Sequence, residues 1–399
     1  MYFVGIDWAD TKHDILVMSG DGRELDNFTI QHSQDGFETL GTKLLKHDNN
    51  PENFCCLIET KHGLLTQYLL ENNFTVYSVN PKLVDARRKA SGAKTDFIDA
   101  KILANMGRSE LHDLHKLEPD SEHIQELKVL TRDQDALIQE STRLTNRLIS
   151  TLKEYYPVAL ELFSKITLPI SLAFLRKYPT PKQARKASRD DIYKFLKKQN
   201  HPNPLSKANE IFTKLQRRNL EGNRAICSAK SKFLFTILDQ LEPLLEHIKE
   251  YDREIEKLFK SHSDSKLFES LPGAGKRIAP RLLAEWGDDR SRYADASVVQ
   301  ALAGTSPVLH QSGKMRIVKR RHSCIKPFRN ALHQFALQTA RWVPWARDYY
   351  LRKRKEGKQH HEAARALANI WVRILYAMWL NKEPYNENKF LKAREKHAA

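Results

Sequence analysis

Four acidic residues near the start of this 399-residue chain have neighbours that suit metal-assisted phosphate chemistry. Asp7 ends the apolar run Val4-Gly5-Ile6, and Glu59 follows Leu57-Ile58, so each carboxylate is expected at the C-terminal edge of a strand. Farther on, Lys94-Thr95-Asp96-Phe97-Ile98-Asp99-Ala100 opens a helix in which Asp96 and Asp99, three residues apart, project from one face. With the two strands adjacent and the helix packed across them, four carboxylates converge. Such a cluster repels itself unless cations fill it; two divalent ions about 3.5 to 4 Å apart would activate an attacking oxygen and stabilise a leaving one. Hard oxygen donors favour Mg²⁺ or Mn²⁺ over zinc. Each acid alone also has a plain structural reading, as a turn former or as a complement to a helix dipole, and only their joint order carries the chemistry. Asp10 is assigned to a turn and Asp14 to the exposed side of the second strand.

The elements that must position these acids follow from hydrophobic period. Strand patterns cover Tyr2 to Asp7, Asp14 to Met18 and the region of Phe28 to Ile30, with a Gly20-Asp21-Gly22 turn before the third. A helix (Phe37, Leu40, Leu44, Leu45), the strand Phe54 to Ile58, an amphipathic helix (Leu64, Leu65, Tyr68, Leu69) and the strand Thr75 to Val79 complete the set. Three strands, a helix, then further strands and helices is the order of an RNase H-like α/β domain. Gly5-Ile6-Asp7 with Thr11 also resembles the first phosphate loop of actin-like kinases, but no second Gly-rich loop follows before residue 270.

From about Ser121 strand signals vanish. Leu130, Leu137 and Leu144 recur every seven residues beside Leu127 and Leu148, and Ile237, Leu241, Leu244, Ile248, Tyr251, Ile255 and Leu258 alternate spacings of four and three. Both read as coiled-coil-like helices, either an antiparallel hairpin or an oligomer interface, with Pro243 predicting a kink or a helix start. Almost everything beyond Leu271 is also expected to be helical. The predicted domains are 1–115, 116–262 and 263–399.

Lys and Arg number 66 against 49 Asp and Glu, a formal net charge of +17, which attracts polyanions and makes nucleic acid the leading partner. No acid falls between Asp295 and Asp348, a span that holds Lys314, Arg316, Lys319, Arg320, Arg321, Lys326 and Arg329. No apolar run approaches the roughly 20 residues of a membrane span, and no signal peptide is visible, so a cytoplasmic protein is expected. Cys55, Cys56, Cys227 and Cys324 lack paired metal-ligand spacing, and neither disulfides nor structural zinc are expected.

These residues together resemble the insertion-sequence 110 family of DEDD transposases. The resemblance rests on Gly5-Ile6-Asp7, Ile58-Glu59, Asn80-Pro81, Lys94-Thr95-Asp96 with Asp99-Ala100, Leu271-Pro272-Gly273-Ala274-Gly275, Leu282-Leu283-Ala284-Glu285, Ala303-Gly304 with Pro307, and Gln311-Ser312-Gly313. It implies a RuvC-like N-terminal domain with the acids at Asp7, Glu59, Asp96 and Asp99, a helical coiled-coil middle, and a mostly α-helical C-terminal transposase domain whose catalytic serine is Ser312. A serine hydroxyl can hold a broken strand as a phosphoserine ester, with Lys314, Arg316, Lys319, Arg320 and Arg321 as phosphate contacts. Ser306, before Pro307, is read as structural. Gly273, Gly275 and Lys276 resemble a helix-hairpin-helix contact to DNA phosphate. The resemblance further implies a composite site formed between subunits of a dimer or tetramer, and a structured noncoding guide RNA that pairs with target and donor DNA. Lys182, Arg185, Lys186, Lys197 and Lys198 are then candidate RNA contacts in the middle region.

Two alternatives follow from the same residues: a RuvC-like endonuclease, needing the acids but not Ser312, and a non-catalytic nucleic-acid-binding protein, needing neither.

Overall fold

The computed structural model describes residues 1–59, 63–91, 96–118, 120–313 and 315–396. The chain divides into two compact units, Met1–Pro119 and Asp120–Ala399.

In the first unit, β1 (Tyr2–Trp8), β2 (Lys12–Ser19) and β3 (Glu24–Gln31) form an antiparallel meander. Helix α1 (Gln34–Leu45) follows, then β4 (Phe54–Ile58), α2 (Leu64–Glu71), β5 (Thr75–Ser78), α3 (Pro81–Ser91), α4 (Asp96–Glu110) and the two-residue β6 (His115–Lys116). The sheet order is β3-β2-β1-β4-β5-β6, with β4 parallel to both β1 and β5. Alternation sorts the core into two layers. Val4, Ile6, Ile15, Val17, Cys56 and Ile58 pack under α1 and α2, while Phe3, Leu16, Met18, Cys55 and Leu57 pack under α4. The strands and the first two helices lie where the sequence pattern puts them.

One buried polar pair tightens the meander. Ala9 N–H donates to His13 Nδ1 (3.3 Å), so Nε2 must carry the proton and donate to His32 Nδ1 (2.8 Å). Burial, and then His32, lower the pKa of the fully buried His13 from 6.5 to about 4. Between those values the unfolded chain binds the extra proton, so stability is present above pH 6.5 and is lost as pH falls toward 4. Scanning calorimetry from pH 7 to 4 is expected to give a falling Tm for the native chain and a flatter profile for His13→Gln; equal slopes would refute the linkage.

The second unit is built on α5 (Glu122–Tyr155) and α10 (Arg224–Ser261). They run antiparallel: His123 bonds the Leu258 carbonyl, Gln134 donates to Asp252, and Lys230 pairs with Glu154. The heptad pattern therefore closes within the chain. Its buried seam is shifted from the predicted one: Leu127, Leu144 and Leu148 are buried, whereas Leu130 and Leu137 are half-exposed and Thr131, Gln134 and Ser141 take the inner positions. Pro243 neither starts nor ends α10; it removes one intrahelical donor, and the buried stripe Leu238, Leu241 and Ile248 holds the helix through it.

Between the long helices lie α6 (Pro169–Lys177), α7 (Pro181–Lys186), α8 (Arg189–Lys198) and α9 (Pro204–Gln216), which bury Phe174, Tyr178, Phe195 and Ile211 against them. After α10 come α11 (Ser265–Glu269), α12 (Gly275–Trp286) and α13 (Ala296–Leu302). Then β7 (Val308–Ser312) and β8 (Met315–Lys319) form a two-stranded antiparallel sheet, followed by α14 (Lys326–Trp342), α15 (Pro344–Lys355), α16 (His360–Asn381) and α17 (Glu387–Lys396). A second core around Trp286, Phe328, Phe335, Trp371 and Trp379 fills this end. The hairpin is the exception within an end that is mostly helical, as expected. Its sequence, Met315-Arg316-Ile317-Val318-Lys319 after the Ser312-Gly313 turn, lacks the clean alternation of apolar and polar residues that announces a strand. No helix among the described residues is long and apolar enough to cross a membrane.

Candidate active site

The parallel register Ile6↔Ile58 carries forward to set Asp7 beside Glu59 on adjacent strands. Both belong to the layer that faces α4, because they share the parity of Phe3 and Leu57. The helix lies directly on β1. A Cβ at Gly5 would stand 1.8 Å from the Ala100 carbonyl oxygen and 2.7 Å from the Ala104 nitrogen, so only glycine admits the helix there. This approach carries Asp99, next to Ala100, down to the strand ends, where it is buried.

Asp99 is held by α3. Arg88 Nε donates to its Oδ1 (2.7 Å) and Nη2 lies 2.5 Å from Oδ2, a two-pronged contact, with Asp85 3.6 Å away on the same helix. Burial, and then the negative charge of Asp99, push the Glu59 carboxyl above its ordinary value; Arg88 opposes this and Asp85 adds to it. The guanidinium therefore supplies positive charge that the acidic group requires. Asp96 begins α4, and its side chain lies outside the described residues. Among the described residues no three His, Cys, Asp or Glu side chains stand close enough to hold a metal ion; the donor set present, carboxylates with a cation already drawn in, fits a hard divalent ion.

Asp14 departs from expectation. It pairs with Asp7 across β1 and β2 and shares the α4-facing layer with Leu16 and Met18, half-buried rather than on a solvent face. Thr29 donates to its Oδ1 and Lys12 lies 3.8 Å from Oδ2. Both faces of β2 are covered, so a polar residue in that strand need not face solvent. Asp10 sits exposed in the bend between β1 and β2, as expected of a turn residue.

The basic C-terminal candidates lie in the other unit. Position 312 closes β7 beside Gly313, whose φ of 55° makes the tight turn; the Ser312 side chain and all of Lys314 lie outside the described residues. Arg316, Lys319 and Arg320 are exposed, and Arg321 is half-buried with Nε lacking a hydrogen-bond partner. Gly273 and Gly275 adopt positive φ (74° and 57°) between α11 and α12, but Lys276 is paired with Glu256 (3.0 Å). Its neighbours on α12 are likewise committed: Arg277 to Asp252 and Arg281 to Asp135, while Glu285 receives Arg132 through two bonds of 2.7 and 2.9 Å. These pairs bind α12 to the long helices. Among the middle-region candidates, Arg185 pairs with Glu221.

An α/β unit with acids at strand ends, followed by a basic helical unit, suits an enzyme that handles a polyanion, and sequence comparison makes the class specific. Residues 4–157 match a family described as transposase, and residues 265–351 match the IS116/IS110/IS902 transposase family. A Streptomyces coelicolor protein named for transposition of the IS117 mini-circle is 31% identical over 97% of this chain and 96% of its own length. An insertion element IS116 protein of Streptomyces clavuligerus is 28% identical over 93% and 96%, and an insertion element IS900 protein of Mycobacterium paratuberculosis is 28% identical over 73% of each. The chain belongs to the IS110/IS116 family of transposases.

Proposed function

We propose that this transposase excises and inserts its element by metal-assisted, serine-mediated strand cleavage and exchange, with an RNase H-like (RuvC-like) first unit. The observation that carries the reading is the meeting of Asp7 and Glu59 on adjacent parallel strands with Asp99 lowered over them by α4. Asp7, Glu59, Asp96 and Asp99 would hold Mg²⁺ or Mn²⁺, which supplies Lewis acidity and positive charge to a phosphate oxygen. Arg88 must then turn away from Asp99, since both its prongs occupy that carboxylate.

Ser312 is the nucleophile in this reading. Its oxygen bonds to phosphorus, its proton passes to a base, and the P–O bond to the departing strand end breaks to leave a free hydroxyl. The phosphoserine ester keeps the energy of the broken bond for rejoining. The cations of the hairpin offset charge on the phosphate. The acids of one copy and the serine of another form one site in a dimer or tetramer, and a structured noncoding RNA supplies target choice, so that part of the basic surface contacts RNA phosphates.

The test is co-expression with the flanking noncoding DNA, followed by incubation with labelled target and donor DNA and Mg²⁺ and separation on a denaturing gel. A covalent protein–DNA adduct is expected from the native chain and none from Ser312→Ala. Metal-dependent cutting without an adduct, unchanged in Ser312→Ala, would instead make the protein a RuvC-like hydrolase.

A further inference from the structure

At the base of the β7–β8 hairpin, three elements bring cations together with little to balance them. Arg320 follows β8; Arg329 and His333 lie one turn apart on α14; His361 and Arg365 lie one turn apart on α16. The two helices pack through Phe335 and Trp371 (ring centroids 4.8 Å apart) and a 2.9 Å bond from Trp371 Nε1 to Thr339, which fixes their N-terminal halves side by side. Arg329, His333 and Arg365 are half-buried. Among the described residues Arg320 and Arg365 have no hydrogen-bond or ion-pair partner, and Arg329 reaches only Cys324 Sγ (3.9 Å) and Asn330 Oδ1 (3.3 Å). His333 Nε2 is buried without a partner. Glu362, whose charge partly offsets the cations around Arg365, also caps α16, where it accepts from the Gln359 N–H.

Like charges held this close are unfavourable in isolation. Burial, then Arg365, Arg329, Arg320 and His361, lower His333 to about 4, and burial with Arg320 and Arg329 draws even Arg365 below its ordinary value. Other arginines of this unit that leave the surface face an acid: Arg132 meets Glu285, Arg290 meets Asp264, and Arg281 meets Asp135 through one nitrogen, its Nε and Nη2 being buried without a partner. The exception is thus local, and it lies on two helix N-terminal halves whose dipoles add to the positive potential. Such a cluster is completed by an anion with several acceptor oxygens, and paired guanidinium forks suit phosphate.

We infer that Arg320, Arg329 and Arg365, with His333, form a pocket for one backbone phosphate of a DNA strand, distinct from the phosphate at Ser312. Separation follows from the hairpin: base to tip is four to five residues, about 15 Å at about 3.3 Å per residue. The pocket therefore takes a different phosphate of the same strand, a few nucleotides along. It would anchor the strand and aim it at the turn. These are positioning residues, and their role as a phosphate pocket stands whether or not Ser312 is the nucleophile, although their use in exchange rests on that reading.

The probe is a fluorescein-labelled dT12 oligonucleotide, followed by anisotropy across a salt series with the full-length chain. An Arg329→Ala/Arg365→Ala variant is compared with Lys232→Ala/Lys266→Ala, which removes the same charge from exposed positions on α10 and α11. The arginine pair is expected to bind about ten-fold more weakly than this control, with a shallower salt slope, and an Arg329→Lys/Arg365→Lys variant should recover most of the loss. With no bound strand, Arg365→Gln is expected to raise Tm, because it relieves repulsion. Binding no weaker than the charge-matched control overturns the pocket; so does a lowered Tm in Arg365→Gln with dT12 affinity intact. Displacement of dT12 by submillimolar inorganic phosphate at constant ionic strength would assign the pocket to a free anion instead of a strand. A loss confined to the ribo-oligomer rU12 would overturn the assignment to DNA. Because the assay involves no cleavage, loss of the Ser312 adduct and loss of this pocket are read separately.

Discussion

Asp7→Asn is expected to slow strand cleavage by about three orders of magnitude under single-turnover conditions while affinity for DNA changes by less than about two-fold. The substitution keeps shape and most hydrogen-bonding capacity but removes one negative charge from a group of acids on one sheet face. Divalent-ion catalysis supplies several kcal/mol of charge stabilisation at phosphate, and each 1.36 kcal/mol is a factor of ten. Asp99→Asn should behave similarly, with one added consequence. Asp99 is bound by both prongs of Arg88, so its neutral form loses a charge-assisted pair at a buried position and also lowers Tm. Asp14→Asn separates the site from its surroundings: held by Thr29 and Lys12, Asp14 is expected to cost at most about ten-fold if it only steadies β2 beside Asp7. Undiminished cleavage in Asp7→Asn would remove Asp7 from the chemistry and require another group to carry the cleavage.

Much of this arrangement could be read from sequence because it depends on local period. Apolar runs ending in Asp7 and Glu59 locate strand ends, and the three-residue spacing of Asp96 and Asp99 locates a helix face. The antiparallel meander follows from run lengths and turn residues, whereas the parallel pairing of β4 with β1 does not. What the pattern could not give was long-range. Nothing near Arg88 in sequence announces that its guanidinium reaches Asp99, eleven residues on and in another helix. Asp14 looked solvent-facing because one polar residue in a strand suggests an exposed side, whereas both faces of β2 are covered. In the second unit the heptads identified α5 and α10 but not their seam, since Gln134 can occupy an inner position once Asp252 accepts its bond. The β7–β8 hairpin escaped because β8 is exposed on both faces, so no buried alternation marks it.

Gly5→Ala tests the element on which the whole site depends. The added methyl would meet the Ala100 carbonyl oxygen at 1.8 Å, a backbone atom, so no rotamer change relieves the clash and a smaller side chain at position 100 would not help. Either β1 or α4 must move by more than about 1 Å. Overpacking of this kind costs about 1–3 kcal/mol and occasionally more; for a unit of this size that lowers Tm by about 5 to 15 °C. Since Asp99 rides on the displaced turn and Asp7 lies two residues along the strand, a shift of about 1 Å should also cost about 10²-fold in cleavage. Gly107→Ala is the control. Its Cβ would meet the tip of Leu57, Cδ2 at 2.3 Å, a flexible side chain that can turn aside, so a smaller loss of stability and little loss of activity are expected. If calorimetry finds Gly5→Ala as stable as the native chain and cleavage is unchanged, α4 does not lie on β1, and the placing of Asp99 near Glu59 fails with it.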